Sequence, residues 1–305
     1  MLTNALLAAS APSLNPVSDL EQLTAYPFMV NTLEAGTIVA VMAGVVGWFM
    51  VLRRQTFAGH TLSVMAFPGA TAALLVGLSA AAGFFAFSGL AALTIGMTYG
   101  AQRGNRGQES AITGTVQAFG LACGFLFLAL YQGVLANYES LLFGSFLGIT
   151  AGQVLTLLLV AVAALALLAL AGRPLLFASL DEGVARARGV PTRGLSLAYL
   201  LLLGMAVAET AQITGALLVF ALLVAPPATA QLITTRIGAS LALSVVLGVL
   251  ITWVGLALAY FYDYPVGFYI STVAFAFYLT VRIARTIADH PRPARVRVPP
   301  VEARS

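Results

Sequence analysis

The sequence predicts an all-α, polytopic membrane protein of about nine transmembrane helices, with its N-terminus outside and its C-terminus cytoplasmic. Three observations carry this. First, the 305 residues are 60% hydrophobic and only 9% charged, with a mean hydropathy of +0.96, whereas a water-soluble domain carries roughly a quarter charged residues. Second, apolar runs fall at about 30–52, 58–81, 84–102, 111–134, 151–172, 195–211, 213–233, 239–261 and 266–284. Each is near the ~20 residues that a bilayer core requires, and none shows the short alternation of a membrane β-barrel. Third, the basic residues sort to one side.

That sorting fixes the span number. With nine spans and the N-terminus outside, Arg53, Arg54, Arg103, Arg106, Arg173, Arg186, Arg188, Arg193, Arg236, Arg282 and Arg285 all fall on the cytoplasmic face. The tail arginines Arg292, Arg295, Arg297 and Arg304 join them, while Asp19, Glu21, Glu139 and Asp263 fall outside. Removing one span would send every later arginine to the wrong face.

In chain order, residues 1–29 read as an extracytoplasmic, acidic leader without the basic start and cleavage site of a signal peptide. Residues 30–285 form the transmembrane domain, interrupted by a polar cytoplasmic loop at 173–194. Residues 286–305 form a basic, proline-rich, disordered cytoplasmic tail. Two boundaries need turns inside apolar sequence, one expected at 83–88 and one at 211–215. Pairs of small residues four apart, Ala40 with Gly44, Ala43 with Gly47, Ala73 with Gly77 and Gly248 with Thr252, indicate close helix packing in lipid.

The loop at 173–194 gathers charge in a chain nearly free of it, and it specifies a short helix. Ser179 and Glu182 have the spacing of a capping box. Asp181 and Glu182 suit the positive start of a helix, and Arg186 and Arg188 its negative end. Gly189 supplies a left-handed stop and Pro191 blocks continuation. Leu180, Val184 and Ala187 form an apolar stripe. Such a helix is either a solvated connector or a docking element for a cytoplasmic partner.

Ionisable groups inside lipid are costly, so the few present are candidates for function. His60 lies about a turn into the second span. It is either an interfacial imidazole bonded to a carbonyl, or an ion or proton site. Glu209 lies deep in the sixth span, either capping a broken helix at 212–215 or lining a path. Asp263 is a turn residue before Pro265, or a cation attractor at the outer mouth. Pro68 and the pair Pro226–Pro227 each free a carbonyl inside a span. They point to helix breaks beside a water-filled path, or to packing kinks.

Composition also excludes. All fifteen basic residues are Arg; without Lys there is no P-loop, so any ATP-driven work belongs to another polypeptide. The lone Cys123 leaves no internal disulfide or thiolate cluster. No HExxH, CxxC or GxSxG pattern supports enzyme chemistry. The arginines flank apolar spans, which speaks against nucleic-acid binding.

Five segments together resemble the permease subunit of the ABC-3 family, which includes zinc and manganese importers. They are LRRQTFAGHTLSVMAFPG (52–69), YESLLFGSFLGIT (138–150), SLDEGVARARGVP (179–191), QITGALLVFALLVAPPATAQLI (212–233) and YDYPVG (262–267). The likeness runs in order from about residue 30 to 285. It implies a homodimeric permease in a bacterial cell membrane, coupled to a pair of ABC ATPase subunits and an extracytoplasmic metal-binding protein. No cofactor is expected in this chain: ATP and Mg would sit on the ATPase, and Zn would be cargo. The loop helix would then be the coupling helix, with Asp181, Glu182, Ala185 and Gly189 at matching positions. Tyr138, Glu139 and Asp263 would lie on the docking face for the binding protein, and His60 and Glu209 would line the metal path.

The second span departs from the family pattern. The family commonly carries an Asp and a His four residues apart there, and this sequence has His60 and Val64. Imidazole without a neighbouring carboxylate favours zinc over manganese. The expected function is therefore a permease for a divalent transition metal, most simply zinc, working by alternating access in a dimer. The alternatives are an ABC permease for a metal chelate (siderophore or cobalamin), or a proton-coupled secondary transporter using His60 and Glu209.

Overall fold

The computed structural model describes residues 24–99, 106–131, 142, 149–216, 219–262 and 264–288. Every regular element among them is helical: α1 (Pro27–Leu52), α2 (Thr56–Leu75), α3 (Ala80–Tyr99), α4 (Arg106–Leu130), α5 (Ala151–Leu180), α6 (Glu182–Ala187), α7 (Thr192–Thr214), α8 (Val219–Ile233), α9 (Ile237–Phe261) and α10 (Val266–Ala288). Apart from α6, these follow the predicted apolar runs in order.

Seven of them are long and apolar enough to cross a membrane, and α8 is a shorter apolar helix. The twenty residues of α2 have the length but carry Thr61, Ser63 and Thr71 among mostly buried positions. Packed within protein instead of lipid, α2 needs less apolar surface. Two of these hydroxyls are satisfied locally: Ser63 donates to His60 O and Thr71 to Phe67 O and Pro68 O.

The bundle is organised on α7, which packs against α1, α2, α3 and α5 and also touches α6, α8 and α10. On the other side of α1, α9 crosses closely, and Ser244 Oγ donates to Gly44 O at 2.8 Å. α8 fills the space between α1, α9 and α10. Hydrogen bonds pin both ends of the bundle. Near the arginines, Trp48 Nε1 donates to Ser240 Oγ and Gln231 Nε2 to Trp48 O. At the opposite end, Asn31 Nδ2 reaches Ile149 O.

Several boundaries differ from expectation. The first turn inside apolar sequence comes before residues 83–88, where Val76 caps α2 and Gly77 (φ +77°) turns the chain. The Leu78 N–H closes that turn on Ala73 O, and Ser79 Oγ accepts from Ala82 N to start α3. α5 also runs past Arg173 and Pro174 to Leu180, so the first part of the polar segment 173–194 is helical. Thirty residues make a helix of about 45 Å, longer than the ~30 Å hydrocarbon core.

The three prolines expected to break helices do not interrupt them. Pro68 lies inside a continuous α2, and Pro226 and Pro227 inside a continuous α8. Close packing supplies the reason. Pro227 leaves Leu223 O without its helical N–H, and Gly47 of α1 covers that carbonyl so closely that a Cβ on Gly47 would lie 2.1 Å from it. The break falls upstream, between α7 and α8, and begins at Gly215, the last residue of the predicted 211–215. There Gly215 has φ 76° and ψ 158°, a region open essentially to glycine alone.

Candidate functional site

α6 is only six residues long, too short to persist without help. It is fixed at both ends. Asp181 is its N-cap, with Oδ1 accepting from Val184 N at 2.9 Å. At the other end the N–H groups of Gly189 and Val190 bond to Arg186 O and Ala185 O, the paired closure of a Schellman stop, with Gly189 at φ +81°. Glu182 and Arg186 form an ion pair one turn apart.

The expected capping box at Ser179 and Glu182 is not formed. Ser179 still belongs to α5 and donates to Leu175 O, so Asp181, the first residue free of α5, takes the capping role. The expected apolar stripe of Leu180, Val184 and Ala187 lies open on the outer side of the helix. Ala185 is fully buried where α6 meets α5 and α7. Leu180 (64% exposed) and Val184 (47% exposed) face outward, beside the exposed Asp181, Glu182, Ala187 and Gly189. This is an apolar face that the chain itself does not cover.

Beneath α6 lies a junction built on Arg53, the C-cap of α1. Its Nε donates to Gln55 Oε1, its Nη1 to Ser179 Oγ and its Nη2 to Ser196 Oγ, at 3.2, 3.0 and 2.7 Å. The guanidinium stands 5.3 Å from the centre of the Tyr199 ring, and the Tyr199 hydroxyl donates to Val46 O at 2.8 Å. Burial pulls the Arg53 pKa below its ordinary value, while Tyr199 and the Glu182 carboxylate push it back up.

His60 occupies the first turns of α2. Its Nε2 lies 3.5 Å from Gln117 Nε2 of α4, its ring meets Phe220 edge-on at 5.1 Å, and its Nδ1 is buried without a partner. Thr61 Oγ1 donates to Gln117 Oε1 at 3.1 Å and holds that amide in place. Glu209 on α7 is fully buried, and neither carboxylate oxygen has a partner. Its neighbours in sequence, Ala208 and Ala211, join an apolar cluster with Ala66, Phe67, Ala70 and Phe84.

The two orphaned side chains are not brought to one point. Ser88 of α3 donates to Leu62 O and lies against Gly204, so Leu62 and Gly204 share a level. His60 lies two residues below Leu62 and Glu209 five residues above Gly204. At ~1.5 Å rise per residue, the pair is separated by about 10 Å in depth. Among the described residues, no three His, Cys, Asp or Glu side chains gather to hold a metal ion. Tyr138, Glu139 and Asp263 lie outside the described residues.

Sequence reasoning missed three contributors. Arg53 registered only as a topology marker, and Tyr199 only as an apolar residue. Gln117 was legible as an amide inside an apolar run.

A bundle of apolar helices with a capped, outward-facing hairpin helix at its arginine-bearing end defines a multi-pass membrane transport subunit. The chain belongs to the ABC 3 transport family, whose model matches residues 25–285, and it is a multi-pass protein of the bacterial cell membrane. It is 30% identical over 254 residues to the manganese transport system membrane protein MntC of Halalkalibacterium halodurans, covering 83% of this chain and 86% of that one. It is 29% identical over 248 residues to the chelated iron transport system membrane protein YfeC of Yersinia pestis, covering 81% and 83%. Among solved structures it is similar to PsaBC from Streptococcus pneumoniae in complex with Fab. The TM-score is 0.77 at 26% identity, over 87% of this chain and 94% of that one.

Proposed function

We propose that this chain is the membrane permease subunit of an ATP-driven importer of a divalent transition metal. In this reading, two copies form the translocation path, a separate ABC ATPase pair grips α6 from the cytoplasm, and a metal-binding protein delivers the ion outside. The observation that carries the proposal is the uncovered apolar face of α6, held by two complete caps at the arginine-bearing end of a chain in this family. A short helix fixed at both ends transmits displacement without fraying. The absence of Lys from the sequence supports placing ATP hydrolysis, with its Mg, on the partner and not in this chain.

For the ion, His60 without a neighbouring carboxylate supports zinc, because imidazole suits borderline ions. Manganese is the second reading, favoured by the name of the Halalkalibacterium relative, and a chelated metal is the third, favoured by that of the Yersinia relative. His60 and Glu209, about 10 Å apart in depth, fit two successive way-stations better than one shared site. Successive weak sites let an ion enter and leave.

The test is uptake into vesicles carrying the chain with its co-purifying ATPase and binding protein. Free zinc, free manganese and chelated iron are supplied in turn. ATP-dependent accumulation of a free divalent ion supports the proposal. Uptake driven by a pH gradient without ATP would contradict it and favour a secondary transporter. Uptake of the chelate alone would move the cargo to the third reading.

A further inference from the structure

We propose that Arg53 is a positioning residue for transport, passing displacement of α6 to the start of α2 and thereby to His60. The inference rests on the docking reading of α6.

The geometry has three parts. On the input side, Arg53 donates to Ser179 and Ser196. These residues lie two positions before Asp181 and four after Thr192, so they bracket α6 on the helices that carry it. Glu182 of α6 also accepts from Thr192 Oγ1 at 3.4 Å, tying α6 to the first residue of α7. On the output side, the same guanidinium donates through Nε to Gln55, the N-cap residue of α2. Gln55 is 8% exposed. Its N–H is held by Met50 O, and its carbonyl receives the Gly59 N–H. His60 follows Gly59.

The third part is the linker. Only residues 53–55 separate α1 from α2, and Arg54 among them has φ +57°, a left-handed conformation that disfavours most side chains. A short connector already held in that conformation has little slack to absorb a shift of its neighbours. Arginine suits this place because its planar fork aims donors in three fixed directions. Lysine keeps the charge on one mobile ammonium and does not reproduce the fork. A clamp that served only to hold the bundle end together would not need its third donor on the N-cap residue of the helix that carries His60.

The experiment uses the whole complex of permease, ATPase and binding protein in vesicles, with zinc and manganese as probes. It measures metal imported per ATP hydrolysed for Arg53→Lys and for the double variant Ser179→Ala/Ser196→Ala. The double variant leaves Arg53 in place and guards against misfolding of the first. A cysteine at Val184, in a Cys123→Ser background, is cross-linked to the ATPase as a control on docking. The expected result is retained cross-linking and ATP hydrolysis, with metal imported per ATP lowered by about tenfold in both variants, a coupling loss of ordinary size. An unchanged ratio, or a parallel fall of hydrolysis and import, would overturn the inference and leave Arg53 as a structural clamp. Absence of the cross-link in the otherwise unaltered chain would instead show that the docking reading of α6 has failed.

Discussion

Arg53 Nη1 donates to Ser179 Oγ at 3.0 Å across 126 residues of sequence. This bond joins the end of the first helix to the last turn of the helix that delivers α6. It places the candidate docking element and the entry to α2 on one rigid junction.

Tyr199 supports that junction from below. It is 1% exposed, and its hydroxyl bonds to Val46 O. Tyr199→Phe keeps the ring under the Arg53 guanidinium and removes the hydrogen bond. The expected cost is about 1 kcal/mol, read as a lower thermal midpoint of the detergent-solubilised protein. An unchanged midpoint would mean that the bond contributes nothing net.

Two glycine-to-alanine changes should have opposite effects. At Gly47 a Cβ would collide with Leu223 O, whereas at Gly172 in α5 nothing lies within 4 Å. Gly47→Ala is expected to destabilise by about 1–3 kcal/mol through forced separation of α1 and α8. Gly172→Ala should stabilise by up to ~1 kcal/mol through helix propensity. Thermal midpoints of the two variants beside the parent check both signs.

Glu209→Gln separates chemistry from packing. The amide has nearly the same shape, and a buried carboxylate with no partner is expensive to keep in the folded state. The variant should therefore be as stable as the parent or more so, while ATP-dependent metal uptake falls at least about tenfold. His60→Ala should lower uptake as well. If the double variant Glu209→Gln/His60→Ala transports metal at the parental rate, neither residue lines the path.

The fold was largely legible because spans are written in composition and length. Nine helices other than α6 follow the nine apolar runs, and the arginine pattern anticipated which ends come together. The α7–α8 break was readable because Gly215 lies where an overlong apolar run had to turn. The helix signals in 179–191 were correct in kind, with Gly189 as the stop. The N-cap was misplaced by two residues because α5 continues past Pro174, which nothing local announces.

Other features were not legible because they depend on packing partners distant in sequence. Prolines read as breaks when the covering group is unknown, and Gly47 over Leu223 O cannot be inferred from either segment alone. The outward turn of Val184 and Leu180 depends on Ala185 being the residue that fits against α5 and α7. Arg53 looked like one more positive-inside arginine, since two of its three acceptors, Ser179 and Ser196, lie 126 and 143 residues further along the chain.

The sidedness of Val184 decides whether α6 is a cytoplasmic docking element. A single cysteine there, in a Cys123→Ser background, is treated with a membrane-impermeant maleimide on intact cells and on inverted vesicles, with and without the ATPase subunit. Labelling is expected only in inverted vesicles, with strong protection when the ATPase is bound. Labelling from outside intact cells, or equal labelling with and without the ATPase, would contradict that assignment.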